Sequence, residues 1–228
     1  MRKLIEGIIT FRQNVRPGYK EMFARLAVGQ RPSCLFITCS DSRVVPNLFT
    51  STEPGDLFVV RNVGNLVPPN HPGELSTGDE AEAAAIEYAV STLEVQDIIV
   101  CGHSNCGAMR AVLESADPAS GSGGAATPHL RRWLRHALPA LEQLNGGRVL
   151  DPLLPRPELL SQLNVLQQVA HVTSYPVVAE RMASGALGVH GWWFDLASAD
   201  VYAYAAELDR FVLIDESRLR FSTPLGQR

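Results

Sequence analysis

The sequence contains no long hydrophobic run. No window approaches the ~18 uncharged apolar residues that a transmembrane helix needs, so we expect no membrane-spanning segment. Residues 1–3 look like the start of a signal peptide, but Glu6 and Arg12 interrupt the apolar run that such a peptide requires. The expected compartment is therefore a reducing one, with the cytoplasm as the default.

Positive charge is not in excess either. The chain has 20 Lys and Arg residues against 24 Asp and Glu residues, and the resulting net charge of −4 gives no reason to expect a nucleic-acid partner. Cysteine and histidine are scarce, with four and six residues, so each one carries weight in the search for a site. By contrast, 46% of the 228 residues are apolar, which is enough for a sizeable core in a single α/β domain over residues 1–228.

The rare reactive side chains occur directly after two apolar runs. Residues 39–43, Cys-Ser-Asp-Ser-Arg, follow a strand-like run at 34–38. Residues 103–106, His-Ser-Asn-Cys, follow a second run at 98–101. Because chemistry in open parallel α/β sheets collects where strands end and helices begin, we expect the two motifs to meet at one edge of a sheet.

Two thiols and an imidazole at neighbouring strand ends predict a metal site. Cys39, His103 and Cys106 are the expected ligands of Zn²⁺, with the fourth tetrahedral position left for a water molecule or for Asp41. Arg43 is the natural ion-pair partner of Asp41, although such a pair is often only a surface pair worth ~0–1 kcal/mol. A disulfide between Cys39 and Cys106 is the alternative, and it is disfavoured because the sequence has no secretory context.

Hydrophobic periodicity predicts an α/β fold with a mostly parallel central sheet flanked by helices. The predicted strands are 34–39, 57–60, 97–101 and 190–194, with an antiparallel edge hairpin of 202–205 and 211–214. The predicted helices are 1–15, one from Pro17 that Gly29 ends, 46–50, one from 79, 105–113, 128–144, 158–173 and 176–184. Cys34 and Cys101 fall inside predicted strands, so we expect them to be core thiols rather than redox groups.

The first helix is amphipathic and needs a surface to cover its apolar stripe. Leu4, Ile8, Phe11 and Val15 recur at helical spacing, so they must pack on their own domain or on a neighbour. The alanine-rich helix from residue 79 indicates close packing against another backbone. Residues 116–127 are predicted to form a flexible surface loop, and residues 215–228 are a tail without a strong pattern.

At these residues the sequence resembles a known family, the β-class carbonic anhydrases. The resembling stretches are 39–46, 56–69, 84–90, 98–109 and 190–192, and the resemblance extends from about residue 4 to 212. Its nearest branch is bacterial or plant-like, including cyanobacterial members. The resemblance implies zinc-dependent reversible hydration of CO₂ to bicarbonate. It also implies that residues 1–15 lie across a partner subunit in a homodimer, with a tetramer or larger assembly as a further expectation.

The resemblance also implies a substrate pocket. Gln30, Phe58, Val63, Gly64 and Tyr88 fall where similar enzymes place a polar donor and an apolar CO₂ pocket. By periodicity alone, Phe58 and Val63 would be core residues, and Gln30 would be a loop residue. A carbon-fixing microcompartment within the cytoplasm is the alternative location.

Asp41 has two expected states. Bound to zinc it closes the site; paired with Arg43 it leaves the fourth position open and accepts the hydroxide proton. Because two thiolates donate more charge than two further imidazoles, the pKa of a zinc-bound water should lie above the ~7 of a three-histidine site.

Some family members close their site when bicarbonate binds nearby, in a pocket with a Trp and a Gly before the first cysteine ligand. Here Phe36 and Thr38 stand at those positions, Val44 crowds the space, and Arg61 alone remains of that pocket. We therefore predict an open resting site without a cooperative pH switch.

Three other functions fit parts of the pattern. A hydrolase of carbonyl sulfide or carbon disulfide would use the same scaffold and ligands. A non-enzymatic zinc scaffold would need a degraded site, yet Asp41 and Arg43 are both present. A thiol redox sensor is disfavoured because Cys39 and Cys106 are assigned to metal.

His71 could shuttle protons, although an exposed loop histidine is more often idle. Residues 78–83 and the 70–77 loop depart from the family pattern.

Overall fold

The computed structural model describes residues 1–70, 80–116 and 127–217. Its strands are β1 (Cys34–Cys39), β2 (Leu57–Asn62), β3 (Asp97–His103), β4 (Gly188–Phe194), β5 (Val201–Ala205) and β6 (Arg210–Leu213). Within the described ranges they form one sheet in the order β2-β1-β3-β4-β5-β6. The first four strands are mutually parallel and the last two pair antiparallel, so the predicted α/β fold with an antiparallel edge hairpin is confirmed.

β1 lies inside the sheet, and its composition explains why. Every residue of β1 is buried, which is the near-continuous apolar pattern of a parallel strand covered on both faces. Successive side chains point to opposite faces: Leu35 and Ile37 pack in one core cluster, whereas Cys34 and Phe36 pack in another. Edge strand β2, by contrast, is only partly buried.

The strand register brings the two motifs together. Thr38 pairs with Cys101 across β1 and β3, so the carboxyl ends of these neighbouring parallel strands coincide. The motif after β1 and the motif at the end of β3 therefore share one edge of the sheet. β3 extends two residues beyond its predicted end, which places His103 in the last position of the strand.

Helices surround the sheet. Their bounds are α1 (Arg2–Thr10), α2 (Arg16–Leu26), α3 (Pro46–Phe49), α4 (Glu80–Glu87), α5 (Gly107–Ala116), α6 (Pro128–Leu134), α7 (Leu138–Asn145), α8 (Arg156–Thr173) and α9 (Pro176–Ala183). The long helix α8 packs against β3 and β4. The predicted helix at 128–144 is wrong as one element, because a 3₁₀ turn at Arg135–Ala137 separates α6 from α7. Pro139 in the first turn of α7 has no N–H to continue an earlier helix.

The N-terminal helices form one arm. α1 continues through the π-helical segment Phe11–Val15 into α2, so the predicted break before Pro17 is wrong. Pro17 lies just after the π-helical segment, where the hydrogen-bond register of the helix changes, and the N–H that it lacks leaves one helical hydrogen bond unmade. None of residues 2–26 is buried, and the apolar side chains of Leu4 and Ile8 are each 66% exposed.

Several predicted segments lie outside the described residues. These are the loops at 71–77 and 117–126, His71, and the tail from residue 218. None of the helices in the described ranges combines the length and apolarity that crossing a membrane would require.

Candidate metal and catalytic site

The three predicted ligands converge at the carboxyl edge of the sheet. Cys39 ends β1, His103 ends β3, and Cys106 immediately precedes α5. Their ligand atoms all lie within 4.8 Å of one another, and all three residues are buried. Among the described residues this is the group of His, Cys, Asp or Glu side chains that converges closely enough to hold a metal ion.

The His103 ring is oriented by its own loop. Nδ1 lies 2.8 Å from the carbonyl oxygen of Ser104, which can only accept, so Nδ1 carries the proton and donates. Nε2 is therefore the unprotonated nitrogen, and it is buried without a hydrogen-bond partner. Leaving a buried acceptor unsatisfied costs ~1–3 kcal/mol. A neutral imidazole with one nitrogen fixed by a carbonyl and the other free is the form that ligates metals.

The pKa values of the two cysteine thiols in the cluster are shifted in opposite directions. The Cys106 thiol donates to the Cys39 sulfur, and the Gly64 N–H donates to the same sulfur at 3.4 Å. These donors lower the pKa of the Cys39 thiol although burial opposes the ionisation. The pKa of Cys106 is raised in turn, first by its hydrogen bond to Cys39 and then by burial. The site is thus built to hold a thiolate, which is the form that binds a metal.

The remaining cysteines behave as core residues. All four cysteines are free, so the alternative disulfide between Cys39 and Cys106 is not formed. Cys34 and Cys101 are buried in the sheet core, and burial raises the pKa of each thiol to about 12.

Arg43 clamps Asp41 beside the cluster. Its Nε donates to Oδ1 at 2.9 Å, its Nη2 donates to Oδ2 at 2.7 Å, and its backbone N–H donates to Oδ1 at 3.0 Å. The same Nη2 also donates to the Asn105 carbonyl at 3.2 Å, which ties the two motifs together. The guanidinium therefore holds the pKa of the Asp41 carboxyl well below its ordinary value. Oδ2 lies 4.0 Å from Nε2 of His103.

The predicted pocket residues differ in burial and in contacts. Gly64 is buried at a positive φ of 86° and touches Cys39 through its N–H. The Phe58 and Tyr88 rings contact each other at a centroid distance of 5.9 Å, while Val63 and Tyr88 remain 44% exposed. Gln30 lies exposed after α2, and its side chain hydrogen-bonds to none of the described residues.

The positions of the second anion pocket are filled by other contacts. The Phe36 ring packs on Phe49 and on Trp192, each at a centroid distance of 6.0 Å. Thr38 donates its hydroxyl to the Cys101 carbonyl, and Val44 is fully buried. Arg61 donates to the backbone carbonyls of Cys39 and Asp41, at 3.2 and 2.7 Å, and so holds the chain that follows β1 in place.

Helix α8 anchors the loop that carries Gly64, and sequence reasoning missed this function. Asn164 Nδ2 donates to the Gly64 carbonyl at 3.1 Å, and its Oδ1 accepts from Gln168 at 2.9 Å. Gln168 in turn accepts from the Val67 N–H at 2.9 Å. Two amide side chains four residues apart on one face of this helix, with apolar residues on either side, were the signal that could have indicated a buried network.

Two acids distant in sequence accept hydrogen bonds from the loop between His103 and Cys106. Asn105, at a positive φ of 54°, donates its N–H to both oxygens of Glu158, at 3.1 and 3.2 Å. Ser104 donates its hydroxyl to Asp195 at 2.8 Å. The sequence motif itself gave no indication of these two acids, because they lie 53 and 91 residues away.

A parallel α/β sheet with a thiol–imidazole–thiol cluster at its carboxyl edge is typical of a metalloenzyme. Residues 34–201 match the family model described as carbonic anhydrase. A carbonic anhydrase of Pseudomonas aeruginosa is 40% identical, covering 95% of this chain and 93% of its own, and one of Synechococcus elongatus is 38% identical, covering 96% and 77%.

Solved structures agree with the sequence matches. The structure of the β-carbonic anhydrase CcaA has a TM-score of 0.83 at 38% identity, covering 95% of this chain and 92% of its own. A structure from work on two tetrameric β-carbonic anhydrases of Sordaria macrospora has a TM-score of 0.73 at 29% identity, covering 90% and 96%. The chain belongs to the carbonic anhydrase family, within its β class, and is an enzyme of reversible CO₂ hydration.

Proposed function

We propose that the activity depends on one Zn²⁺ held by Cys39, His103 and Cys106. The observation that carries the proposal is the buried, unpartnered Nε2 of His103 beside two sulfur atoms, one of them favoured as thiolate. Two sulfurs and one nitrogen suit zinc and leave one position for catalysis. When bound, zinc lowers the pKa of a water ligand and supplies a nucleophilic hydroxide near neutral pH.

Asp41 and Arg43 orient the reaction. Arg43 keeps the Asp41 carboxylate ionised and turned toward the guanidinium, with Oδ2 still next to the cluster. From there Oδ2 would accept a hydrogen bond from the attacking hydroxide, and so turn an oxygen lone pair toward CO₂. Arg43 itself stays fixed through the Asn105 carbonyl.

The CO₂ pocket lies beside Gly64. Phe58, Val63 and Tyr88 supply an apolar wall, which suits a substrate without charge, and the Gly64 N–H holds the Cys39 sulfur. Gln30 is the polar donor of a site shared between subunits, which agrees with its exposure within a single chain.

The minimal active unit is a homodimer in which the N-terminal arm covers the partner. The exposure of the whole apolar stripe of α1 supports this, since such a stripe is stable in water only when it is covered. A tetramer, as in the Sordaria macrospora work, is the next expected assembly. Two free thiols at the site fit a reducing location, which is the cytoplasm or a carbon-fixing microcompartment within it.

The resting site is open and has no second bicarbonate switch. The absence of a donor on the packed Phe36 ring and the engagement of Arg61 Nε and Nη2 with backbone carbonyls support this, because together they leave fewer donors for an anion.

Stopped-flow measurement of CO₂ hydration across pH, on protein with quantified metal, tests the proposal. We expect one zinc per chain, activity that scales with zinc content, and a rise toward mildly alkaline pH with the slope of a single proton. Full activity without zinc would overturn the metal assignment. A steep loss of activity at low pH that involves several protons, with bicarbonate acting at a second site, would overturn the open resting state. Sulfide release from carbonyl sulfide or carbon disulfide, measured in parallel, tests the alternative substrates.

A further inference from the structure

A peptide bond beside the predicted ligand Cys39 is held at both of its polar atoms. Its N–H belongs to Gly64 and donates to the Cys39 sulfur at 3.4 Å, and its carbonyl belongs to Val63 and accepts from the indole N–H of Trp133 at 2.8 Å. A peptide unit is planar, and in its trans form the carbonyl and the N–H point in opposite directions. The contact with Trp133 therefore determines where the Gly64 N–H points.

The conformation at Gly64 makes such an outside contact necessary. Its φ is 86°, and a Cβ at this position would lie 2.9 Å from the Cβ of Ala108, so only glycine fits. Because glycine restrains the backbone less than other residues do, surrounding side chains must fix the orientation of its two peptides. Asn164 donates to the Gly64 carbonyl and so holds the peptide that follows. Trp133 holds the peptide that precedes, which is the one that carries the N–H to the sulfur.

Trp133 is itself oriented by its surroundings. It lies in the last turn of α6 and packs against the core cluster that contains Cys39 and Cys106. Its ring meets the His136 ring edge-on, at a centroid distance of 5.5 Å and an interplanar angle of 72°. The His136 carbonyl in turn accepts from the Gln168 amide of α8 at 3.0 Å. The direction of the indole N–H is therefore fixed by packing on the same core that carries the metal-binding cluster.

We propose that Trp133 is a positioning residue for CO₂ hydration: through the Val63–Gly64 peptide it aims an N–H at the Cys39 sulfur and holds Val63 beside the proposed CO₂ pocket. The proposal rests on the proposed function of Cys39 as a metal ligand. A donor on a thiolate draws charge from the sulfur, and outer contacts of this kind tune a bound metal. The simpler alternative is that Trp133 contributes only apolar packing.

Two substitutions separate the N–H of Trp133 from its bulk. Trp133→Phe keeps a six-membered aromatic ring and removes the donor. Trp133→His removes the six-membered ring and keeps a five-membered ring, in which Nε2 takes the position of the indole nitrogen and can donate in its place. If the residue acts through its N–H, Trp133→Phe is the defective variant; if it acts through packing, Trp133→His is.

The absorption of the cobalt-substituted, full-length protein tests the proposal. Wild type should show a charge-transfer band from sulfur to Co²⁺, and absence of that band would overturn the metal assignment together with the inference. Trp133→Phe should move the band to longer wavelength, because a sulfur without its donor gives up charge more readily. Its kcat/KM for CO₂, measured on the zinc form, should fall roughly tenfold, the low end of outer-contact effects.

Two other variants serve as controls for these measurements. Trp133→His should keep the band at its wild-type position, with kcat/KM closer to wild type than that of Trp133→Phe, although it loses more packing and melts at a lower temperature. Trp192→Phe makes the same substitution in a separate core cluster, where the ring packs on Phe36, and should move neither quantity.

Melting curves establish which variants are folded. An unmoved band in folded Trp133→Phe, or an equal displacement in Trp133→Phe and Trp133→His, overturns the proposal while leaving the metal assignment intact. If Trp133→His does not fold, the comparison of Trp133→Phe with Trp192→Phe decides. If Trp133→Phe does not fold, a wild-type band in Trp133→His supports the proposal and a displaced one overturns it.

Discussion

The site at the carboxyl edge of the sheet is buried, whereas the N-terminal arm is exposed. Every predicted ligand is buried, and the site is connected by hydrogen bonds to β1, β3 and α8 within one chain. No residue of the arm from 2 to 26 is buried, and its apolar side chains face outward. The metal-binding cluster and its supports lie within a single chain, whereas the apolar stripe of the arm is left exposed by that chain.

The difference separates two sources of stability. Burial of apolar surface stabilises a fold by roughly 25 cal/mol per Å². The arm gains little of this stabilisation within one chain, because none of its residues is buried. The site relies instead on satisfied polar contacts in a buried setting, where a lost partner costs more than a formed bond contributes. Changes in the site should therefore affect chemistry and metal, while changes in the arm should affect assembly.

The largest expected effect is the loss of a ligand. Cys106→Ser replaces a thiolate by a hydroxyl, which is a poor zinc ligand, so the variant should lose most of its metal and all measurable hydration activity. Metal analysis and stopped-flow kinetics measure both. The matched control is Cys34→Ala, a buried thiol of the sheet core, which should keep its zinc at some cost in stability. Full zinc and normal turnover in Cys106→Ser would remove the metal assignment.

The next effect concerns the clamp beside the cluster. Asp41→Asn should keep zinc but lower kcat by roughly 10²-fold, which is at the low end of what a positioned proton acceptor contributes. Asp209→Asn is its control, because Asp209 pairs with Arg148 in an exposed ion pair far along the chain. Equal effects of the two substitutions would reduce the Asp41–Arg43 pair to a surface ion pair.

A charge in the arm tests the other half of the comparison. Ile8→Glu places a carboxylate in the exposed apolar stripe and should shift the protein to smaller species, or to aggregates, in light scattering. Deleting residues 1–15 should do the same and lower activity. Gln13→Glu adds the same charge to the arm at a polar position and should leave the mass unchanged. A fully active monomer would show that the arm has no function in assembly.

The sequence allowed prediction of the site more fully than of its supports. Motif residues such as Cys39 and His103 lie next to strand ends, so local pattern and the edge rule of parallel sheets placed them together. Asn164 and Glu158 support them from a helix that is distant in sequence, and only the packing of α8 on the sheet reveals their partners. The continuity at Pro17 was missed because the sequence pattern does not reveal the π-helical segment Phe11–Val15 that joins α1 to α2 just before the proline.

One of these supports yields a smaller effect on the same site. Asn164→Leu removes the donor to the Gly64 carbonyl and one of the two acceptors of the Gln168 amide, the other being the His136 carbonyl, which should cost ~1–3 kcal/mol of unfolding free energy. Because Gly64 orients the Cys39 sulfur, zinc should also leave about tenfold faster to a chelator. Asn145→Leu, at an exposed position at the end of α7, is the control. Lower stability with an unchanged rate of zinc loss would separate the α8 network from the metal.

The smallest effect is a pH dependence at the second support. Burial opposes ionisation of Asp195, but hydrogen bonds from Ser104, Ala197 and Ser198 outweigh it and lower the pKa of the carboxyl. A carboxyl with a depressed pKa in the folded state stabilises the fold at neutral pH. That stabilisation is lost as pH falls from the ordinary Asp range through the depressed value.

Asp195→Asn removes this titration. The difference in melting temperature between wild type and variant should therefore be largest near neutral pH and shrink as pH falls below about 4, the ordinary pKa of aspartate. Scanning calorimetry over that range measures the difference, and contributions of other carboxyls cancel between the two proteins. Glu207→Gln, at an exposed position after β5, serves as the surface control. A difference for Asp195→Asn that does not change with pH would mean that the Ser104 contact stabilises through packing rather than through the charge.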